Sequence, residues 1–198
     1  MRAEPPFIKS NGNLAKLKAL AKGTDISVFL RNLSNTCHFV EAEPKGENLV
    51  MKRVVPLNTT DGREKARANP RALADMLKGA VARIAEMGLM YLDFKPHNMG
   101  YTIKNDRVQF VLLDHDALQD ITGDLDQDNT AQTPLVFFTS PHLNTINDRK
   151  PLYELYMKHN IAVAYWATLS DTFFEEQLAF VQYAPGVPKH FCKNNAIF

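Results

Sequence analysis

Cysteine is scarce: only Cys37 and Cys192 are present, far apart and without CxxC or CxxH spacing, which excludes a disulfide-dense scaffold and a cysteine metal knuckle. The six histidines, His38, His97, His115, His142, His159 and His190, show no HExxH motif and no paired spacing, so they form no metal set. No apolar run approaches the ~18–20 residues of a membrane span, and the longest stretches, 108–113 and 161–169, are core-sized. The opening MRAEPPFIKS lacks the apolar centre of a secretory signal. These absences lead to the expectation of a reduced, intracellular and cytoplasmic protein without a membrane span. An excess of one charge is missing as well. Lys and Arg number 23 against 22 Asp and Glu, a net charge of +1, so no global field recruits nucleic acid or an anionic membrane. Internal repeats and low-complexity tracts are absent. What remains is 198 residues, 45% apolar and 23% charged, the composition of one globular domain.

Within that length, helical and extended patterns alternate. In NLAKLKALAK, 13–22, Leu14, Leu17 and Leu20 suit one side of a short helix that Gly23 can end. Short apolar runs at 26–30, 38–41 and 48–55 read as strands, with PKGEN, 44–48, as a hairpin turn. The clearest helix spans 69–88. Asn69 is a good N-cap, Pro70 fits the first helical position and Gly88 can supply a left-handed cap. Leu73, Met76, Leu77, Ala80, Val81, Ile84 and Met87 give it one continuous core face. A loop at 92–98 leads into a hairpin of 99–103 and 107–113 turned at KND, and its second strand ends at Asp114-His115-Asp116. Residues 119–134 are polar and acidic and read as an irregular surface loop. Helices are expected at 152–169, with Tyr165 and Trp166 in the core, and at 172–183, before an irregular tail.

Chemistry concentrates in YLDFKPHNMG, 91–100, and VQFVLLDHDAL, 108–118. Asp93, Lys95 and Asn98 stand as D-x-K-x-x-N directly after the long helix, and one hairpin separates them from Asp114 at the end of an apolar strand. This order of helix, loop, hairpin and acidic strand end resembles the protein kinase-like superfamily. FTSPHL, 138–143, is similar to the end of that family's activation segment, with His142 in place of glutamate. HNIAVAYWATLSD, 159–171, is similar to the buried helix that follows, with Asn160 in place of aspartate. The resemblance implies an α+β, two-lobed fold: a reduced N-lobe over 1–51, a hinge at 52–57 and a mainly helical C-lobe over 58–198.

It also implies phosphoryl transfer, in which positioning and charge neutralisation do most of the catalysis. Asp93 would orient the attacking hydroxyl and take its proton, and Lys95 would steady charge on the transferred group. Asn98, Asp114 and Asp116 would hold Mg²⁺, a hard ion suited to oxygen ligands. Upstream, NLVMKRV, 48–54, is similar to the fifth strand and hinge, which sets Met51 beside the adenine of ATP and leaves Lys9 in PFIKS as the ATP-anchoring lysine. A competing alignment takes Lys52 in VMKR as that lysine and deletes half a lobe. Pro96 after Lys95 favours the protein kinase branch, and hence transfer from ATP to a Ser or Thr hydroxyl of a protein substrate.

Several family features are missing. No glutamate lies between Lys9 and Glu41 to pair with the lysine, and the eight residues before Lys9 hold no Gly-rich loop. Tyr91-Leu92 replaces His-Arg, which removes the docking point of a phosphorylated activation loop, and Asp114-His115-Asp116 replaces Asp-Phe-Gly. These departures sustain a second expectation, a pseudokinase that acts as a decoy or inhibitor of a partner kinase or its substrate. Asp114-x-Asp116 also matches the DxD of sugar-nucleotide transferases and the HAD nucleophile, which belongs nearer the N-terminus. Asp124, Asp126 and Asp128 mimic a calcium loop, but Asn129 and Leu135 stand where its glycine and glutamate belong, and a solvated acidic loop is the simpler reading.

Overall fold

A computed structural model describes residues 7–9, 14–91, 93–121 and 146–170. The FTSPHL segment, Asp124, Asp126 and Asp128, the 172–183 helix and the tail with Cys192 lie outside the described residues.

The first sheet joins β1 (Phe7–Lys9), β2 (Ala42–Lys45) and β3 (Asn48–Met51) in the antiparallel order β1-β3-β2. Phe7 stands opposite Met51 and Lys9 opposite Leu49. The expected turn at PKGEN joins β2 to β3, with Gly46 at φ 62°. Two helices, α1 (Leu14–Leu20) and α2 (Ile26–Thr36), intervene between β1 and β2. Residues 26–30, expected as a strand, are therefore the first half of α2. Asp25 starts the helix by accepting hydrogen bonds from Ser27 N at 2.9 Å and Val28 N at 3.1 Å. The buried set is Phe29, Leu30 and Leu33, a helical spacing, while Val28, which an alternating strand would bury, is 42% exposed.

Residues 52–54 carry the chain to a second sheet, in which β4 (Val55–Pro56), β6 (Met99–Lys104) and β7 (Arg107–Leu112) pair antiparallel in the order β4-β6-β7. The expected strand at 48–55 is thus divided between two sheets, because Met51 pairs with Phe7 and Ala42 whereas Val55 pairs with Tyr101. Residues 38–41 likewise form a single parallel bridge, Phe39 to Leu112, in place of a strand. Val40 N donates to Leu112 O and Leu112 N to His38 O, both at 2.8 Å, so this bridge ties the second sheet to the chain that enters β2. The β6–β7 hairpin turns at Asn105 and Asp106, both at positive φ (50° and 58°), as a two-residue turn of the primed type requires.

A helix that the sequence pattern does not announce, α3 (Thr60–Ala68), follows β4. Thr59 caps it by accepting from Gly62 N at 3.1 Å, and Gly62 lies so close to the Pro56 carbonyl that a Cβ would collide with it. The long helix α4 (Pro70–Glu86) begins on Pro70 as expected, but Asn69 does not cap it. Its Nδ2 instead donates to Lys65 O at 3.0 Å and closes the end of α3. Leu73, Met76, Leu77, Ala80, Val81 and Ile84 are buried, much of that face against α5 (Ile146–Leu169). This last helix starts six residues earlier than expected. It buries Tyr153, Met157, Ile161, Ala164 and Tyr165, with Trp166 half-buried and edge-on to Tyr165. Between the long helices, β5 (Leu89–Tyr91) pairs antiparallel with β8 (Leu118–Asp120). The start of the expected surface loop is therefore a strand in which Gln119 is buried. The described chain is α+β with small antiparallel sheets, and none of its helices is long and apolar enough to cross a membrane.

Candidate active site

The loop that follows β5 is fixed from below by a tyrosine of α5. The Tyr153 hydroxyl accepts from Tyr91 N at 3.0 Å and donates to Tyr91 O at 3.2 Å, so a side chain completes both backbone hydrogen bonds of the residue that ends β5. On the far side of Asp93, Phe94 is buried with its ring edge-on to Tyr91, centroids 4.8 Å apart. Two buried aromatics thus bracket a carboxylate that is itself partly exposed.

A short 3₁₀ turn, Pro96–Asn98, then folds Asn98 back onto Asp93. Asn98 Nδ2 donates to Asp93 Oδ2 at 2.6 Å and to Asp93 O at 3.2 Å, and Lys95 Nζ lies 2.7 Å from the same Oδ2. Both partners converge on one carboxylate oxygen. Asp93 Oδ1 has no partner among the described residues. The five-residue spacing is therefore a hydrogen-bonded ring that fixes the amide of Asn98: its nitrogen is spent on Asp93 and its Oδ1 is left over. Leu113 N donates to Asn98 O at 2.9 Å, which brings the next residue, Asp114, to the same place.

That place is a cleft of about 550 Å³, within the usual ~300–1,000 Å³ of small-molecule sites. Phe7 and Met51 line it from the first sheet, and His97, Asn98, Leu113 and Asp114 from the turn and the end of β7. A larger cavity of about 770 Å³ lies between α2 and the first sheet, but it holds none of the carboxylates or amides of the motif, so chemistry and not size selects the cleft.

The residues singled out in the sequence distribute as follows. Met51, Asn98 and Asp114 share the cleft, and Asp93 and Lys95 join it through Asn98. Asp116 lies on a second 3₁₀ turn, His115–Ala117, outside the cleft lining, with its backbone carbonyl accepting from Lys16 Nζ of α1 at 2.8 Å. Lys9 closes β1 opposite Leu49. Lys52, the competing lysine, lines the cleft and lies 3.8 Å from Glu41. His97 is exposed at the rim, whereas His115 is fully buried with its ring tilted against Phe39, centroids 4.8 Å apart.

Nowhere among the described residues do three or more His, Cys, Asp or Glu side chains gather as metal ligands. Mg²⁺ asks for less, since it keeps several waters and takes one or two protein oxygens together with substrate phosphates. The uncommitted Oδ1 of Asn98 and the Asp114 carboxylate fit that requirement.

Two residues of this site escaped the sequence reading. Tyr153 lies on the buried stripe of α5 with Met157 and Ile161, and a phenol on such a stripe needs a polar partner, which is a usable signal. Tyr91 is fully buried, and its own hydroxyl lies beside Asn98. No family model matches the chain, and no curated protein matches it in sequence.

Proposed function

We propose that this chain is a protein kinase-like phosphotransferase that moves the γ-phosphoryl group of ATP to a Ser or Thr hydroxyl of a protein substrate. The observation that carries the proposal is the Asn98 junction. One side chain holds Asp93 through its nitrogen and offers its oxygen to the cleft that Asp114 and Met51 line. Such an arrangement separates a proton acceptor from a cation site while keeping the two rigidly connected.

The topology supports a two-lobed, kinase-like reading. A small antiparallel sheet, a crossing at 52–54, the long helix α4, and a loop and hairpin ending at Asp114 follow the order that the resemblance implies. With β3 at the centre of its sheet and the crossing directly after it, the alignment that makes 48–54 a strand and hinge is favoured over the one that uses Lys52 as the ATP-anchoring lysine. In the proposed reaction Asp93 Oδ1 accepts the proton of the substrate hydroxyl while its oxygen bonds to the γ-phosphorus and the bond to the β-phosphate oxygen breaks, releasing ADP. Lys95 offsets charge on the transferred group. Asn98 Oδ1 and Asp114 would hold Mg²⁺, which would supply charge neutralisation on the phosphates.

Titrating ATP with and without Mg²⁺ in a thermal-shift assay tests the site, since a ligand of the native state raises the midpoint. A metal-dependent rise is expected, and no shift at millimolar ATP would remove the nucleotide reading. Asp93→Ala is expected to keep the midpoint and lose phosphotransfer, and equal ³²P incorporation by variant and wild type would exclude Asp93 as the base.

One observation favours the alternative of a pseudokinase that sequesters a partner kinase or its substrate. Neither helix between β1 and β2, α1 or α2, carries an acidic residue to pair with Lys9, and Asp25 is spent on capping α2. Binding of the partner that survives Asp93→Ala, with no turnover by either form, would select this second reading.

A further inference from the structure

The Tyr91 hydroxyl presents an unusual balance. Its residue is fully buried, its oxygen is shielded from solvent, and it has no hydrogen-bond partner among the described residues. The ring is held from two sides, edge-on to Phe39 with centroids 5.6 Å apart and edge-on to Phe94 at 4.8 Å, while Tyr153 fixes the backbone, so the phenol cannot swing to find water. Leaving such a donor unmade costs free energy that a phenylalanine would avoid. Around the hydroxyl lie the three polar groups of the site. The Asn98 amide lies beside it, and the Asp114 and Asp93 carboxylates are within electrostatic reach. A phenol carries its proton at neutral pH and is therefore a donor. The Asn98 nitrogen and Asp93 Oδ2 are already engaged with each other.

We propose that Tyr91 is a positioning residue for the cation site, donating its hydroxyl hydrogen bond to the Asp114 carboxylate oxygen that does not bind the metal. The proposal rests on the phosphotransferase reading. A carboxylate that ligates a metal through one oxygen is oriented by a donor on the other, and such outer partners govern affinity. The resting structure keeps the donor in place and unsatisfied, and loading of the site completes it. No covalent step is involved.

Tyr91→Phe separates this role from a structural one. Removing an unsatisfied buried hydroxyl is expected to leave the melting midpoint of the ligand-free protein unchanged or higher. The Mg²⁺ concentration that gives half of the ADP-induced thermal shift is expected to rise by about tenfold, with metal-free ADP binding unchanged. A lowered ligand-free midpoint would show that the hydroxyl serves the fold, and a Mg²⁺ requirement within about twofold of wild type would show that it does not serve the cation site. Either result overturns the proposal while leaving the phosphotransferase reading standing. Absence of any Mg²⁺-dependent shift in the wild type would instead overturn that reading, and the role of Tyr91 with it.

Discussion

Two tyrosines separated by 62 residues carry opposite energetic signs at the same site. Tyr91 spends stability on an unmade hydrogen bond, whereas Tyr153 satisfies two backbone groups with one hydroxyl. Tyr153→Phe is therefore expected to destabilise the protein by about 1–3 kcal/mol, because it strands a buried N–H and a buried C=O. Urea denaturation measures it, and a midpoint equal to that of the wild type would show that water replaces the phenol. At this scale the sequence is informative where chemistry is local. Asp93, Lys95 and Asn98 are close in the chain, and their spacing alone announces a closed ring. It is silent on Tyr153, since nothing in the neighbourhood of that residue reports which backbone, so far upstream, its hydroxyl will meet.

Elements with a strong local cue were equally legible. The KND turn, the PKGEN turn and the apolar face of α4 are each specified by a few adjacent residues. The errors fall where the cue is ambiguous or absent. ISVFL satisfies a strand alternation through Ile26, Val28 and Leu30, and its Phe29 and Leu30 begin a helical one that only Leu33, beyond it, continues, so five residues are too few to choose between them. Asp25 decides it by capping the helical alternative. Asp25→Ala is accordingly expected to cost about 0.5–2 kcal/mol, read from denaturant midpoints, and a neutral result would mean that packing of Phe29 and Leu33 alone holds α2. Helix α3 had no apolar signal to find, because its buried residues are Gly62 and Ala66, which pack through smallness. Strand β8 looked like loop because its partner, β5, lies on the other side of the hairpin.

Across the whole molecule, the two larger sheets meet at His38 and Phe39, and the seam carries a titratable group. The His38 carbonyl accepts from Leu112, and its imidazole lies against α4 where Gly79 leaves it room. Burial, with a smaller contribution from Arg83, lowers its pKa below the ordinary 6.5. The unfolded chain then takes up the proton first, so the contribution of His38 to stability is complete above about pH 6.5 and is lost as pH falls through that value toward the folded pKa. Denaturation midpoints are expected to decline between about pH 7 and pH 5.5, and to decline less in His38→Asn, which tolerates the positive φ of 61° at this position. An unchanged profile in the variant would assign the acid sensitivity elsewhere. The contacts of α1 have a different consequence, one of timing during synthesis. Lys16 meets the Asp116 carbonyl one hundred residues downstream, and Lys22, in the turn that follows α1, lies 2.7 Å from Asp120. On a ribosome adding roughly 5–20 residues per second, α1 emerges on the order of ten seconds before those partners exist. For that interval Leu14 and Leu17, buried in the finished protein, have no native seat and are open to chaperones.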